Sequence, residues 1–351
     1  MDFTFTSEQR LIASTFRKLA DDLHAPARFR AEGPGDAAHE AWRRLADLGL
    51  PGMLAPESAG GLGLIDVDFV LIAEEAGRAA LAEPLIEHAG IAVPMLADLA
   101  DPIGCTLAAQ VLPRATSGEA RIAIAHPVNP YVLGGTRADY LLLASADEVH
   151  LVETRRARLT RVESIDRGRD LVKVDAPTSQ ATRIAAGTAA REAWRCAFER
   201  GALYSAAQLV GLCQRMIDLA VAYARERRQF GKPIGSFQAI QHALASVQVK
   251  LEFARPALYY AATRVCDPGL RAQAAISHAK VAATDAADLA ARTAMQVHGA
   301  MGYSWEVDLH VYMKRVLALA GAWGDRSFHA RRVSSFVLEG GIELGPECTF
   351  D

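Results

Sequence analysis

The residues best suited to chemistry lie at two corners. In "YARERRQFGKPIGSFQAIQ" (223 to 241) a helical run ends in Arg225, Arg227 and Arg228, and Gln229-Phe230-Gly231-Lys232-Pro233 breaks it before a second amphipathic helix begins. Cations in a last helical turn are favoured by the helix dipole, which by itself would account for the arginines. It does not account for an aromatic, a glycine and a proline that fix a tight turn beside a guanidinium. A planar fork of donors next to a ring suits an anionic, planar ligand. The second corner, "QVHGAMGY" (296 to 303), carries glycines that let a backbone approach a ligand closely. Two such corners on one bundle suit a dinucleotide.

Other chemistries fit less well. With 351 residues, 51% hydrophobic and 23% charged, the chain buries a large core and is expected to form two or three domains. Its net charge is -3, and Lys and Arg are spread along both halves with no basic run interleaved with aromatics, so nucleic acid is not an expected partner and a small molecule is. The five cysteines show no CxxC and the ten histidines form no ligand-spaced pair, which argues against a zinc site. The GGLG run at 60 to 63 lacks the Lys-Ser/Thr of a phosphate loop and a preceding strand, so it reads as a structural turn. The start, MDFTFTSEQR, lacks the regions of a signal peptide, and no uninterrupted apolar run approaches the ~18 residues of a membrane span. A soluble cytoplasmic protein without a membrane partner is expected.

The elements that must position the corners follow from periodicity. To about residue 115 the pattern is helical: Thr6-Ser-Glu-Gln9 has the form of a capping box, and Ile12, Phe16 and Leu19 follow at helical spacing. Residues 45 to 63 end a helix in a Gly/Pro-rich loop, and 67 to 77 resume the helical pattern. Between 119 and 188 the runs "ARIAIAHPV", "DYLLLASADEVHLVE" and "DLVKVDA" are short, β-prone and separated by turn residues. Long helices return from 190 to about 338. Ile240, Leu244, Val247, Leu251, Ala254 and Leu258 form the seam of a helix packed lengthwise against others. Residues 203 to 224 are apolar on most sides, leaving a narrow stripe of Gln208, Arg215, Asp218, Ala222 and Arg225, as in a surrounded helix. Further helices at about 272 to 297 and 306 to 320 complete a four-helix bundle. The expected fold class is α+β, mainly α, with an N-terminal helical domain (1-115), a small middle β domain (116-188) and a C-terminal helical bundle (189-351).

At these motifs the chain resembles the acyl-CoA dehydrogenase family. Residues 223 to 241 look like its Arg-x-x-Phe-Gly helix corner, and "QVHGAMGYSWEVDLHVYMKR" (296 to 315) looks like its second C-terminal signature. "LADLGLPGMLAPESAGGLGL" (45 to 64) and "EEAGRA" (74 to 79) are similar as well, so the resemblance covers nearly the whole chain. It implies FAD lying between subunits of a tetramer, with the two corners reaching the adenine and pyrophosphate end of a flavin held mainly by the neighbouring chain. Carried over by residue, Arg227, Gln229 and Phe230 would meet the pyrophosphate and adenine side. Phe237 and Gln238 would lie nearby, and Gln296, Gly299 and Gly302 would line the other wall.

The chain departs from that family where the chemistry is done. Removing the α-proton of an acyl thioester while hydride leaves the β-carbon calls for a carboxylate with a raised pKa. The family's usual position for that Glu, after the second signature, holds Trp323 in "GAWGD", and its other known location, early in the first bundle helix, falls on Gly201. Glu199 is the nearest acid, but two residues of helix turn a side chain by about 200°, so it would face away unless the helix carries a bulge; an acid at a helix start is its expected role. The family's loop and strand motifs that hold the flavin ring are missing from "IAIAHPVNPYVLGGTRADYLLLAS", where His126 and Thr136 offer at most single contacts.

Intact corners and a lost ring cradle resemble the base-less subunit of heteromeric α2β2 acyl-CoA dehydrogenases, associated with sterol-derived and other bulky acyl-CoA thioesters. That resemblance implies FAD as cofactor, an acyl-CoA substrate, an electron acceptor such as an electron-transfer flavoprotein, and a partner subunit carrying the catalytic Glu. Two alternatives are a homo-oligomeric flavoenzyme of the same fold with other chemistry and a non-catalytic assembly subunit.

Overall fold

A computed structural model describes residues 4–23, 35–100, 105–145, 147–339, 341, 342 and 345. The helices that matter below are α1 (Ser7–Leu23), α2 (Gly35–Asp47), α3 (Asp66–Arg78), α4 (Val93–Ala100), α5 (Thr106–Thr116), α6 (Thr188–Glu226), α7 (Gln238–Ala262), α8 (Leu270–His298), α9 (Leu309–Gly321) and α10 (Arg326–Leu338). The strands are β1 (Ile122–Ala125), β2 (Val132–Leu133), β3 (Tyr140–Ser145), β4 (Glu148–Glu153), β5 (Arg158–Val162), β6 (Leu171–Asp175) and β7 (Arg183–Ala186), with a small hairpin of β8 (Arg228–Gln229) and β9 (Lys232–Pro233). They form two compact units, Met1–Pro26 with Val70–Leu81 and Ala202–Asp351, and Ala27–Phe69 with Ala82–Gly201.

The first unit is a helical bundle. Its central helix α8 packs against α7, α9 and α10, and an alanine-rich buried face (Ala279, Ala283, Ala286, Ala290, Ala294) allows close approach. The seam of α7 is buried at Val247, Leu251, Ala254 and Leu258, while Ile240 and Leu244 stay partly exposed. Residues 202 to 213 of α6 are buried on every side, as a surrounded helix requires. Glycines set how closely α6 crosses the end of α3. A Cβ on Gly211 would lie 1.8 Å from the Glu74 carbonyl oxygen, and one on Gly77 would lie 2.1 Å from that of Gln208. Inside the bundle the Lys280 ammonium donates to Ser205 Oγ at 2.7 Å and to the Leu319 carbonyl at 2.6 Å, joining α8 to α6 and α9. The capping box forms as read: Thr6 N–H donates to Gln9 Oε1 at 2.9 Å and Gln9 N–H to Thr6 Oγ1 at 3.2 Å.

The second unit holds the β region. One sheet runs β1-β3-β4-β7 and the other β2-β6-β5, with β1 parallel to β3 and the other pairs antiparallel. Alternate residues Leu141 and Leu143 join Ala123, Val132, Val152 and Val172 in a common core. The opposite side of β1 packs on the helical turn His88–Ala92. There His88 is fully buried: its Nε2–H donates to the Ala115 carbonyl at 3.0 Å and its Nδ1 accepts the Ile122 N–H at 3.0 Å. The GGLG segment is a self-contained turn, in which Gly61 N–H donates to the Pro56 carbonyl and Gly63 N–H to that of Ala55.

Candidate functional site

The first corner is built by the end of α6. Arg227 N–H donates to the Tyr223 carbonyl at 2.8 Å, and the Arg227 carbonyl accepts from Ile234 N–H at 2.8 Å, closing the hairpin in which Gln229 pairs with Lys232. Its tip is Phe230-Gly231, with φ of 53° and 79°. Two positive φ values make the tight hairpin turn whose twist matches its strands, a turn that prefers Asn or Gly at its first position. A bulky residue there is strained. The Phe230 ring is 90% exposed and stands edge-on to Phe237 at 6.1 Å, and the Lys232 ammonium lies 4.4 Å from the centre of the Phe237 ring.

Around this tip the donors are uncommitted. Arg227, Gln229 and Gln238 are exposed, and among the described residues their side chains make no hydrogen bond or ion pair. The same holds for Gln296 in the last turn of α8. Arg228 instead turns back to the Gly231 carbonyl at 3.3 Å.

The second corner follows α8 directly. Gly299 has φ 57° and ψ -135°, and nothing lies within 4 Å of the place its Cβ would take. Gly302 differs: it is buried, and a Cβ there would come within 2.6 Å of Met295 Sδ, so its glycine serves packing within the turn. His298, just before Gly299, donates from Nδ1 to the Ala294 carbonyl at 2.8 Å, and burial lowers its pKa. Its ring stacks on Tyr223 at 4.4 Å and 23°. That stack joins the two corners, and neither residue stood out in the sequence. The signal was present: Tyr223 lies one helical turn before Arg227, and His298 adjoins the glycine that opens the turn.

These residues fit the pyrophosphate and adenine end of FAD. An unpaired guanidinium and three free carboxamides offer donors, Gly231 and Gly299 leave open space, and an exposed ring is available for stacking.

The two positions that the family resemblance assigns to the base hold no acid. Trp323 is 4% exposed with φ 58°, and its carbonyl accepts the His329 Nε2–H at 2.9 Å. Asp325, two residues on, is used as the N-cap of α10, accepting from Phe328 N–H at 2.7 Å. Gly201 lies inside α6. Glu199 corrects one expectation: α6 begins at Thr188, so this acid sits well inside the helix, fully buried, and is not at a helix start. The helix is regular α throughout, without the bulge that would bring Glu199 round to the Gly201 face.

Acids whose pKa burial raises lie elsewhere. Glu74 accepts from Tyr259 Oη–H at 2.9 Å and faces Arg255 at 3.6 Å, and Asp98 faces Arg200 at 3.7 Å. His126 and Thr136 are both engaged within the second unit. His126 donates from Nε2 to the Trp194 carbonyl and accepts the Val128 N–H at Nδ1, while Thr136 Oγ1–H donates to Asp170 at 2.5 Å. Among the described residues no cluster of three or more His, Cys, Asp or Glu could hold a metal ion, and no helix is long and apolar enough to cross a membrane.

Residues 6–119 match the family described as acyl-CoA dehydrogenase, N-terminal domain, and residues 180–338 match acyl-CoA dehydrogenase, C-terminal domain. The chain is 30% identical over 336 residues to the acyl-CoA dehydrogenase IpdE2 of Mycobacterium tuberculosis, covering 95% of this chain and 98% of that protein. Its fold superposes on a chain of the ChsE4-ChsE5 complex from Mycobacterium tuberculosis with a TM-score of 0.83 at 26% identity, covering 97% and 99% of the two chains. A glutaryl-coenzyme A dehydrogenase structure shares the fold with a TM-score of 0.83 at 22% identity, covering 97% of each. The chain belongs to the acyl-CoA dehydrogenase family, whose cofactor is FAD.

Proposed function

We propose that the chain is the base-less subunit of a heteromeric FAD-dependent acyl-CoA dehydrogenase, an α2β2 assembly whose second, dehydrogenase-like chain carries the catalytic Glu and the flavin ring cradle. The observation that carries this reading is an asymmetry. Uncommitted donors remain at the corners around Arg227 and Gln296, while the two positions that the family resemblance assigns to the base hold Trp323 and Gly201. When bound, FAD supplies the acceptor for the β-hydride. This chain's part is to hold the cofactor: Arg227 offers charge-assisted hydrogen bonds to the pyrophosphate, the carboxamides of Gln229, Gln238 and Gln296 and the open backbone at Gly299 line the walls, Gly302 keeps the second turn packed, and Phe230 with Phe237 offers ring surface to the adenine. The substrate proposed is an acyl-CoA thioester with a sterol-derived or other bulky acyl chain, and the electron acceptor an electron-transfer flavoprotein. Similarity to a chain of a two-chain complex, ChsE4-ChsE5, supports the heteromeric part.

Affinity-tagged full chain, expressed in its own cells and purified gently, tests the reading. The expected result is a second dehydrogenase-like chain co-purifying at equal amount, with one FAD per pair of chains by absorbance and native mass spectrometry. A homotetramer with one flavin per subunit would replace it with the homo-oligomeric flavoenzyme, and an assembly without flavin would leave a non-catalytic subunit.

A further inference from the structure

The hairpin that presents Arg227 and Phe230 is small and exposed, and such two-stranded ribbons are marginally stable on their own. Its hydrogen bonds close within residues 223 to 241: Arg227 N–H to the Tyr223 carbonyl, Ile234 N–H to the Arg227 carbonyl, and Gln241 Nε2–H to the Gly235 carbonyl at 2.9 Å. The Tyr223–His298 stack reaches out of this segment to the second corner. His298 is a fixed platform, because it is 5% exposed and its Nδ1–H is held by the Ala294 carbonyl. Gly299, next in sequence, begins the turn with open space beside it.

Resting on the reading of these corners as flavin-contacting, we infer that Tyr223 and His298 are positioning residues whose ring stack locks the Arg227 hairpin to the Gly299 turn, so that the two walls of the flavin site hold one geometry. Neither side chain has to touch the cofactor. Without the stack the hairpin samples other placements, and the affinity of the site falls by the fraction of time it is correctly set. An aromatic stack of this kind corresponds to about a three- to tenfold change in that population.

Hydrogen exchange on the full chain tests the lock without flavin. His298→Ala is expected to raise exchange at the Arg227 and Ile234 amides about three- to tenfold, although these lie in a distant stretch of sequence, and His298→Phe, which keeps a ring, is expected to stay near wild type. Should His298→Ala fail to fold, Tyr223→Ala is measured in the same way. In the flavin-binding assembly, Tyr223→Ala is expected to weaken FAD binding about three- to tenfold and Tyr223→Phe to restore it. Unchanged exchange in a folded ring-deleted variant overturns the lock. So does unchanged FAD affinity in Tyr223→Ala beside a clear loss in Arg227→Ala. If Arg227→Ala also keeps full affinity, the flavin reading of the corner is what fails, and exchange alone decides whether the lock exists.

Discussion

The Trp323 carbonyl accepts the Nε2–H of His329 at 2.9 Å, which fixes the chain at a position that the family resemblance assigns to the base. The tautomer follows from the partners: with Nε2 donating, Nδ1 accepts from the Ser277 hydroxyl at 3.1 Å, and Arg332 in turn donates to Ser277 Oγ at 3.1 Å. A buried chain of donors thus holds a tryptophan in a left-handed conformation, and its side chain offers no group that could abstract a proton. The lone chain is therefore expected to reduce no ferrocenium-type acceptor with any acyl-CoA. Robust turnover by the homo-oligomer, abolished by Glu199→Gln, would make Glu199 the base in spite of its place in a regular helix.

Two fully buried histidines predict how stability depends on pH. Burial is the first cause that pushes His88 and His329 down from 6.5 to about 4, and for His329 the Lys280 and Arg332 charges push the same way. Their folded pKa values lie below the unfolded one, so the unfolded chain binds more protons between these limits. The stabilisation is fully present above about pH 6.5 and is lost as pH falls towards about 4, with an upper bound of about 3 kcal/mol for each. Urea unfolding across this window should show His88→Gln with a shallower loss than wild type. Parallel curves would mean that His88 does not set the slope.

Much of the scaffold was legible because local rules and packing agree there. Thr6 and Gln9 cap α1 by the bonds their spacing implies, and Val247, Leu251, Ala254 and Leu258 are buried along one helix. The start of α6 was legible to within two residues, since helices were expected from 190 and α6 begins at Thr188. The place of Glu199 was not: the apolar pattern becomes continuous only from 203, so this acid read as one at a helix start although it lies well inside the helix and is buried. At the corners the types of residue were readable and their coupling was not, since a stack between Tyr223 and His298 depends on how α6 and α8 end together.

The glycines at the α3–α6 crossing were likewise silent in sequence, where a lone glycine in a helical pattern reads only as a cost. Gly211→Ala would place Cβ 1.8 Å from the Glu74 carbonyl oxygen and 2.7 Å from the Arg78 nitrogen, both backbone atoms that cannot swing aside. Overpacking of this kind costs about 1–3 kcal/mol or more, well beyond the helix-propensity gain of about 1 kcal/mol. A lowered urea midpoint for Gly211→Ala is expected, and a raised one would mean the helices part without penalty.

Phe230 should show stability and binding moving in opposite directions. Its φ of 53° costs a bulky residue about 1–2 kcal/mol, which Asn tolerates at the same turn position. Its ring is almost wholly exposed, so removing it forfeits little packing. Phe230→Asn is expected to raise the unfolding midpoint of the chain while weakening FAD binding by the assembly. A variant that loses stability would show that the ring is held for folding and not for a ligand.

Arg227 carries the most direct test of the flavin reading. Its guanidinium is exposed at the end of α6 and, among the described residues, pairs with nothing, so its removal should leave the fold intact. If it grips the pyrophosphate, the lost contact is a charge-assisted hydrogen bond worth about 1.5 to 3 kcal/mol, and FAD affinity should fall by about one to two orders of magnitude in Arg227→Ala. Arg227→Lys should recover only part, because an ammonium keeps the charge but loses the planar fork. Arg225→Ala is the control: it lies two residues back, about 200° round the helix, and should change little. Titration of the apo assembly with FAD decides the matter. Equal affinity for wild type and Arg227→Ala would leave these arginines only the helix dipole or a subunit interface to serve.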